Sequence, residues 1–230
     1  MHGFRAGRLP DGRSGVVDAS AVCARLGDVA KFDPKKELSS YRARQGAFDL
    51  VEVPPLRYLM IDGAGDPNTS AEYRDALATL FPVAYKLKFL SKREIDRDYV
   101  LPPLEALWDA ADKAAFTTTR DKSLWRWTAM ILVPDGIDDD LVSRAVQQAA
   151  GAPLLDRLRV ETLEEALCAQ TLHIGPYDDE GPVLARMHDE FIPSHGLRMT
   201  GTHHEIYLSD ARRVEPARLR TILRQPVARV

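Results

Sequence analysis

Apolar and polar positions along the chain predict a series of strands and helices. Residues 49–67 are rich in β-forming residues but contain two prolines, which predicts one strand or two pieces of one. Apolar residues then recur at steps of three and four over residues 73–87, which predicts a long amphipathic helix. Thr69, three residues before Glu72, provides a capping box for this helix, whereas Pro82 predicts a kink or a break within it.

The pattern continues toward the C-terminus with further elements. Strands are predicted over residues 99–110, 123–134, 164–180 and 201–208, and helices over residues 138–151, 181–196 and 216–223. The segment 138–151 begins with acidic residues and ends with a glycine, which suits the start and the end of a helix.

The order strand, helix, strand, strand occurs twice, over about residues 48–133 and 138–228. We therefore expect an α+β fold in which two weakly similar modules form one pseudo-symmetric domain. Residues 1–30 mix glycine, arginine and aspartate without a sustained period, so we expect an irregular extension before a domain of residues 31–230.

The composition excludes several classes of function. The chain has 230 residues, of which 45% are hydrophobic and 28% charged, so it can bury a sizeable core. A formal net charge of −3 makes nucleic acid an unexpected partner. No apolar run is long enough to cross a bilayer, and the start of the chain lacks the apolar stretch of a signal peptide. We therefore expect a cytoplasmic protein without a membrane partner.

Candidate metal and cofactor motifs are weak. Cys23 and Cys168 are the only cysteines, which excludes a disulfide framework and a cysteine-rich zinc module. Gly63 and Gly65 lie between a predicted strand and a predicted helix, but the third glycine of a dinucleotide fingerprint is absent. We predict no cofactor and no metal.

Two histidines adjoin a glutamate in the predicted strand near the C-terminus. Successive strand residues point to opposite faces, so His203 and His204 cannot bind one metal as neighbours. His204 shares its face with apolar Ile206, and we expect this face to pack on the helices. His203, Glu205 and Tyr207 share the other face, which either meets water or lines a pocket.

Aromatic residues favour the pocket. Trp125 and Trp127 lie two apart and so project from one face of their strand, while Trp108 follows Glu105 by three. Tyr177 follows a Gly-Pro turn. Tryptophans grouped beside isolated carboxylates are typical of a pocket for flat or cationic organic molecules, because the rings stack on the ligand and the buried charge selects it.

Several motifs in a fixed order resemble one known family. They are FDPKKEL, LMIDGAGDPN, YVLPPLEALW, DKSLWRWTAMILVP, LHIGPYDDE and HHEIYLSDARR. In order and spacing they resemble the GyrI-like small-molecule-binding family, whose relatives include the effector-binding domains of multidrug-responsive regulators. The resemblance covers about residues 31–228. It implies two tandem strand–helix–strand–strand modules whose sheets enclose a ligand cleft.

The resemblance also implies roles for particular residues. Glu205 stands where multidrug-binding members have a buried glutamate, and Trp108, Trp127, Tyr177 and Tyr207 match positions in the walls of the cleft. Some stand-alone members hydrolyse cyclopropane-bearing alkylating compounds with an aromatic cage and acidic help.

In such a hydrolase, Glu105 and Glu205 are the candidate catalytic residues. Asp109 follows Trp108 where relatives often have a second aromatic residue, so the cage is expected to be wetter or differently shaped. The short irregular start cannot hold a winged-helix module, so direct transcriptional regulation is not expected.

Three hypotheses about function remain open from the sequence. The first is a stand-alone receptor that captures a hydrophobic, aromatic and in some cases cationic small molecule. The second is a hydrolase that detoxifies electrophilic xenobiotics. The third is a macromolecular inhibitor of a partner such as gyrase, for which the sequence offers no acidic tail or DNA mimic.

Overall fold

The computed structural model describes residues 31–110 and 121–230, and the centre of this part of the chain is a curled antiparallel sheet. Its strands are β1 (Asp49–Val53), β2 (Leu56–Ala64), β3 (Leu104–Ala110), β4 (Trp125–Leu132), β5 (Arg159–Leu163), β6 (Ala166–Ile174), β7 (Leu197–Met199), β8 (His203–Tyr207) and β9 (Arg220–Arg229). Across the sheet their order is β1-β6-β9-β8-β3-β4-β2-β5, and β7 pairs with β9. The predicted α+β fold class is confirmed.

Helices connect the strands. They are α1 (Pro34–Glu37), α2 (Ala71–Glu94), α3 (Asp139–Gln148), α4 (Gly181–Ala185), a π-helix (Arg186–Phe191) and α5 (Ile192–Ser194). None of the helices in residues 31–110 and 121–230 combines the length and the apolar character needed to span a bilayer. The irregular extension predicted over residues 1–30 lies outside the described residues.

The topology repeats itself. The succession β2, α2, β3, β4 places its strands in the order β3-β4-β2, and the succession β6, α4, β8, β9 gives β8-β9-β6. The two halves meet where β3 pairs with β8, and each half completes the other's edge, because β1 pairs with β6 and β5 with β2. The exact limits of the two modules, about 48–133 and 138–228, stay a prediction.

The two faces of the sheet are covered differently. One face, here called the helix face, packs against α2 and against the segment of α4, the π-helix and α5. The other, here called the strap face, is covered by residues 31–46, the strap, whose Phe32, Leu38 and Tyr41 pack against strand side chains. Both faces are therefore buried, as expected for the centre of a two-sided sheet.

Strand β8 shows which of its side chains lie on the helix face and which lie on the strap face. His204 and Ile206 are fully buried on the strap face, so the expectation that their face packs on the helices is wrong. Glu205 lies opposite Ala106 on β3, and both Ala106 and Tyr207 pack on the helix face. Alternation correctly separated His204 and Ile206 from Glu205 and Tyr207. It could not predict which pair packs under the helices and which packs under the strap, because both faces of the sheet are buried.

Two predicted elements at the end of the chain differ from the structure. Residues 216–223 were expected to form a helix, but only a short 3₁₀ turn (Pro216–Arg218) precedes β9. Strand β9 lies inside the sheet between β6 and β8 and is buried on both faces over most of its length, so it lacks the alternation that marks a strand in sequence. Edge strand β5, which is mostly polar and partly exposed, was not predicted separately.

The start and the middle of α2 also differ from expectation. Ser70, and not Thr69, caps the helix, because its hydroxyl accepts from the Tyr73 N–H at 3.3 Å. The helix does not break at Pro82. Pro82 has no N–H to donate to the Ala78 carbonyl one turn earlier. Both residues are exposed, so water can donate to that carbonyl instead.

Candidate functional site

Aromatic side chains from both halves of the sheet meet on the helix face, over the pairing of β3 with β8. The Tyr73 ring of α2 stacks on Trp108 with ring centroids 6.2 Å apart and meets Trp127 edge-on at 4.9 Å. Tyr177 meets Tyr207 edge-on at 5.5 Å, and the Trp108 Nε1–H donates to the Tyr207 hydroxyl at 2.9 Å. These residues form a continuous group, which we call the aromatic site.

A glycine makes room for the innermost ring. Gly63 on β2 pairs directly with Trp127, and a Cβ atom added at Gly63 would lie 2.2 Å from the indole. A residue without a side chain is therefore required for the indole to lie across β2. Trp127 is 2% exposed as a result, whereas Tyr177, at 37%, marks the open side of the aromatic site.

Glu205 lies at the centre of the aromatic site. Its Oε2 accepts a hydrogen bond of 2.7 Å from the Tyr207 hydroxyl, which in turn accepts the bond from Trp108. This chain of donors fixes one carboxylate oxygen and leaves Oε1 facing His203, whose Nε2 lies 3.5 Å away. Burial and the charge of Glu205 raise the pKa of Tyr207 well above its ordinary value, so the tyrosine keeps its proton and acts as a donor.

A second carboxyl group, Glu180, lies beside Glu205. It is only 5% exposed, and its Oε1 has no hydrogen-bond partner in the described part of the chain. Burial, reinforced by the charge of Glu205, raises the pKa of Glu180 far above that of an ordinary glutamate. The side chain of Thr221 on β9 lowers the pKa of Glu180, but by less than burial and Glu205 raise it. Glu180 therefore carries a proton at neutral pH.

The sequence did not single out Glu180, because this residue ends the run "YDDE" and nothing in the local pattern distinguishes it from the two aspartates before it. Asp178 and Asp179 of that run are exposed, and Glu180 alone turns inward, just before α4 begins at Gly181. No local signal separates Glu180 from its neighbours, because it precedes α4 without a capping hydrogen bond from its side chain.

Two histidines complete this side of the sheet. His203 on β8 and His188 on the π-helix meet edge-on with ring centroids 6.1 Å apart. Burial, together with the neighbouring His203, lowers the pKa of His188 to about 4, so this imidazole is neutral at pH 7.

The structure brings most of the predicted site residues together. Trp108, Trp127, Tyr177, Tyr207 and Glu205 all belong to the aromatic site or lie against it. Their roles in binding or catalysis stay predictions.

Glu105, the other predicted catalytic residue, lies on the strap face and away from the aromatic site. It is fully buried, and its carboxylate accepts hydrogen bonds from the hydroxyls of Tyr41 and Tyr58 and from His204 Nε2. Glu105 and Trp108 are three residues apart on one strand, and an odd separation places two side chains on opposite faces. The same rule that separated His204 from Glu205 thus separates Glu105 from Trp108.

Glu105 belongs to a buried ionic network. His204 donates through Nε2 to Glu105 at 3.0 Å and through Nδ1 to Glu165 at 3.0 Å. Arg224 donates to Glu165 at 2.9 Å, to Gln170 at 3.2 Å and to the Ser40 carbonyl of the strap at 2.6 Å. Both ring nitrogens of His204 face acceptors, so the ring is an imidazolium and the network balances its charges.

The pKa shifts in this network follow from its geometry. Burial opposes the charged form of His204, but Glu165 and Glu105 outweigh it and raise the pKa of the histidine. Burial likewise opposes ionisation of Glu165, but His204 and Arg224 lower its pKa to about 2. The network ties the strap to the sheet and leaves no carboxylate for a ligand.

One open groove adjoins the aromatic site, with Gly63 and Trp127 common to both. Its volume is about 290 Å³, and it is lined by Asp62, Gly63, Leu107, Asp109, Arg126, Trp127, Thr128 and Thr202. Its acids are paired, Asp109 with Arg126 at 2.8 Å and Asp62 with Arg159 at 2.7 Å. Because the groove contains neither carboxyl group of the aromatic site, we do not take it as the functional site. Within the described ranges, no cluster of His, Cys, Asp and Glu side chains could hold a metal ion.

Comparison with known proteins places the chain in a family. The GyrI-like small molecule binding domain matches residues 47–228. The chain therefore belongs to the GyrI-like small-molecule-binding family. No curated protein matches the chain.

Solved structures extend this likeness. An uncharacterized conserved protein from Listeria innocua is 36% identical over 86% of this chain and 100% of its own, with a TM-score of 0.77. A protein from the same organism described as a hydrolase is 34% identical with the same coverage and a TM-score of 0.74. The protein EcmrR in a complex with DNA is 15% identical over 80% of this chain and 58% of its own, with a TM-score of 0.51, which is a likeness of fold alone.

Proposed function

We propose that this protein binds flat, hydrophobic, electrophilic small molecules in the aromatic site and hydrolyses them. The pair formed by Glu180 and Glu205 carries the proposal, because a protonated carboxyl beside a charged one supplies the acid and the base that addition of water requires. The Listeria innocua relative described as a hydrolase supports the reaction class.

The surroundings of the carboxyl pair suit such a ligand. Trp108 and Trp127 are almost fully buried against Tyr73, so a flat apolar ligand would stack on the partly exposed rings at the open side, Tyr73 and Tyr177. Tyr177 and Tyr207 lie close enough to Glu180 to be affected by its charge, and burial keeps the proton of Glu180 available for donation. Glu105 has no part in this proposal, and Glu180 replaces it as the second candidate catalytic carboxyl group.

In the proposed reaction, Glu205 accepts a proton from a water molecule while the water oxygen forms a bond to the electrophilic carbon. In a strained three-membered ring, a ring C–C bond to that carbon breaks, and its electron pair passes to the conjugated atoms of the ligand. Glu180 donates its proton to those atoms, so the elements of water are added overall. Transfer of the proton from Glu205 back to Glu180 restores the pair.

A cyclopropane-bearing alkylator is the test substrate, because the family resemblance points to this class. Incubation with the protein should yield the water adduct, measured by mass spectrometry. We expect Glu180→Gln and Glu205→Gln each to slow turnover by roughly 100-fold or more, since each removes one proton-transfer group. Glu190→Gln, at an exposed position of the π-helix, is the matched control and should keep full turnover.

Circular dichroism of each variant shows whether the fold is kept. Formation of the water adduct at the rate seen in buffer alone would contradict the proposed hydrolysis. Equal turnover by wild type and by both glutamine variants would contradict the assignment of the carboxyl pair.

Capture without turnover is the second candidate, favoured by the charge of Glu205 among aromatic rings. Titration with planar cationic dyes, followed by tryptophan fluorescence, tests it. A dye that binds wild type tightly should bind Glu205→Gln about tenfold more weakly, which corresponds to the loss of one charge contact. Equal affinity for both proteins would remove Glu205 as the anchor.

A further inference from the structure

Three ring nitrogens of the two histidines beside Glu205 have no hydrogen-bond partner among the described residues. Both ring nitrogens of His203 and the Nε2 of His188 are buried, and within the described ranges none of these atoms has a partner. Buried polar side-chain atoms in folded proteins are nearly always paired, because an unpaired one loses its contact with water and gains nothing in return. Glu205 Oε1 lies 3.5 Å from His203 Nε2, but His203 Nδ1 and His188 Nε2 need a partner that residues 31–110 and 121–230 do not provide.

The π-helix positions His188 beside His203 and Glu205. His188 lies in the π-helix, where the chain departs from ordinary α-helical spacing, and such turns recur at functional sites. His203 lies on β8, one position away from the fully paired His204. The two imidazoles thus come from separate elements and meet at one edge of the aromatic site, next to Glu205 Oε1.

A neutral imidazole offers one donor and one acceptor, and the low pKa of His188 keeps that ring neutral. The partner that matches the ring of His188 is a group that also carries one donor and one acceptor and has no net charge. The N–H and C=O edge of a cyclic amide meets this requirement, and a lactam fused to aromatic rings also fits the π-faces of the site.

We propose that His188 and His203 form a hydrogen-bonding subsite for the uncharged N–H and C=O edge of a flat aromatic lactam. The inference rests on the proposed function, because it assumes that the ligand lies in the aromatic site. It narrows the ligand class from flat hydrophobic molecules in general to those with an amide-like edge.

Phenanthridin-6(5H)-one and its N-methyl derivative test this subsite, because they are flat aromatic lactams of nearly the same area and only the first carries the N–H beside the C=O. In fluorescence titrations with the chain of 230 residues, wild type should bind phenanthridinone at least about tenfold more tightly than N-methylphenanthridinone. His203→Phe and His188→Phe should each reduce this preference to less than about twofold, because phenylalanine fills the space without hydrogen bonding.

Two further variants serve as controls. His203→Gln, which keeps a donor and an acceptor, should restore at least part of the preference. His195→Phe, at an exposed position after α5, should leave it unchanged. If one of the two phenylalanine variants does not fold, the ligand preference of the other one tests the subsite.

The outcomes separate this inference from the proposed function. Equal binding of the two phenanthridinones by wild type overturns the subsite, as does a preference that survives both phenylalanine variants. Binding of planar cationic dyes without binding of either phenanthridinone also overturns the subsite but leaves the proposed site intact. Binding of none of these ligands overturns the proposed function and the subsite together.

Discussion

The two faces of the sheet both bury carboxyl groups, but they surround them differently. On the strap face, Glu105 and Glu165 meet His204 and Arg224 in a network of direct hydrogen bonds. On the helix face, Glu180 keeps an unpaired oxygen beside the charged Glu205 and carries a proton at neutral pH. Burial therefore does not distinguish the two sets of acids.

The degree of pairing is what distinguishes them. A buried carboxylate with charged and hydrogen-bonding partners contributes to the fold, and its loss should be felt as instability. A buried carboxyl without partners destabilises the folded chain, and it is typical of a group kept for chemistry. The comparison therefore predicts that variants on the strap face change stability, whereas variants on the helix face change binding and turnover.

Loss of the central cation on the strap face should have the largest effect. Arg224→Met leaves Glu165 with a single charged partner, and breaking a buried ion pair costs about 3–5 kcal/mol of unfolding free energy. Urea unfolding measures it. Arg213→Met, whose side chain is 83% exposed, is the control and should cost less than about 0.5 kcal/mol. If Arg224→Met lowered the unfolding free energy by less than about 1 kcal/mol, the paired carboxylates of the strap face would not contribute to stability as the comparison requires.

Acid should remove the contribution of Glu165. Its pKa is about 2 in the folded chain and ordinary values near 4.5 apply when unfolded, so its stabilisation is complete above pH 4.5 and is lost as pH falls toward 2. The advantage of wild type over Glu165→Gln, on the order of 2–3 kcal/mol at pH 6, should therefore stay nearly constant to pH 5 and then shrink at pH 4 and again at pH 3. Urea midpoints at pH 6, 5, 4 and 3 measure it. An advantage that is constant across this range would contradict the assigned role.

A change at Gly63 should affect the helix face mainly through binding. Gly63→Ala places a Cβ against the Trp127 indole and should cost about 1–3 kcal/mol by overpacking, while ligand affinity falls at least tenfold. Urea unfolding and fluorescence titration measure the two effects. Adding Trp127→Leu should recover stability but not affinity. Recovery of both by the double variant would show that the indole does not contact the ligand.

The smallest effect is expected at the open side of the aromatic site. Lys122 pairs with Asp178 at 2.7 Å and lies over the Trp125 ring, but Asp178 is largely exposed. Exposed ion pairs contribute little, so Lys122→Ala should lower the unfolding free energy by less than about 1 kcal/mol, and less still in 0.5 M salt. Thermal unfolding at two salt concentrations checks this. A larger loss that is insensitive to salt would mean that this contact belongs to the core.

Local pattern was sufficient for much of the fold. Alternation in β8 assigned His203, Glu205 and Tyr207 to one face, and the spacing of apolar residues located α2. Central strand β9 was not recognised, because Arg224 and Gln225 lie buried within it and interrupt its apolar pattern. Their burial depends on partners that are far away in sequence, such as Glu165 and Ser40.

The site was predictable only in part for a related reason. The aromatic residues could be found because tryptophans are rare and conspicuous in sequence. Glu180 and His188 were not, since their importance lies in what they fail to contact, and a missing partner is not visible in a local pattern. Local spacing was also ambiguous for Glu105, whose distance of three residues from Trp108 suits one face of a helix but opposite faces of a strand.

The exchange of edge strands between the two halves has a consequence for how the chain folds. Strand β1 pairs with β6 through Asp49 and Gln170, and β2 pairs with β5 through Leu56 and Leu163, so each half needs a strand from a distant part of the chain. Such long loops must close before their contacts stabilise anything, which slows folding and couples the halves. We therefore expect a single cooperative transition and a slow refolding phase, with no separately stable half.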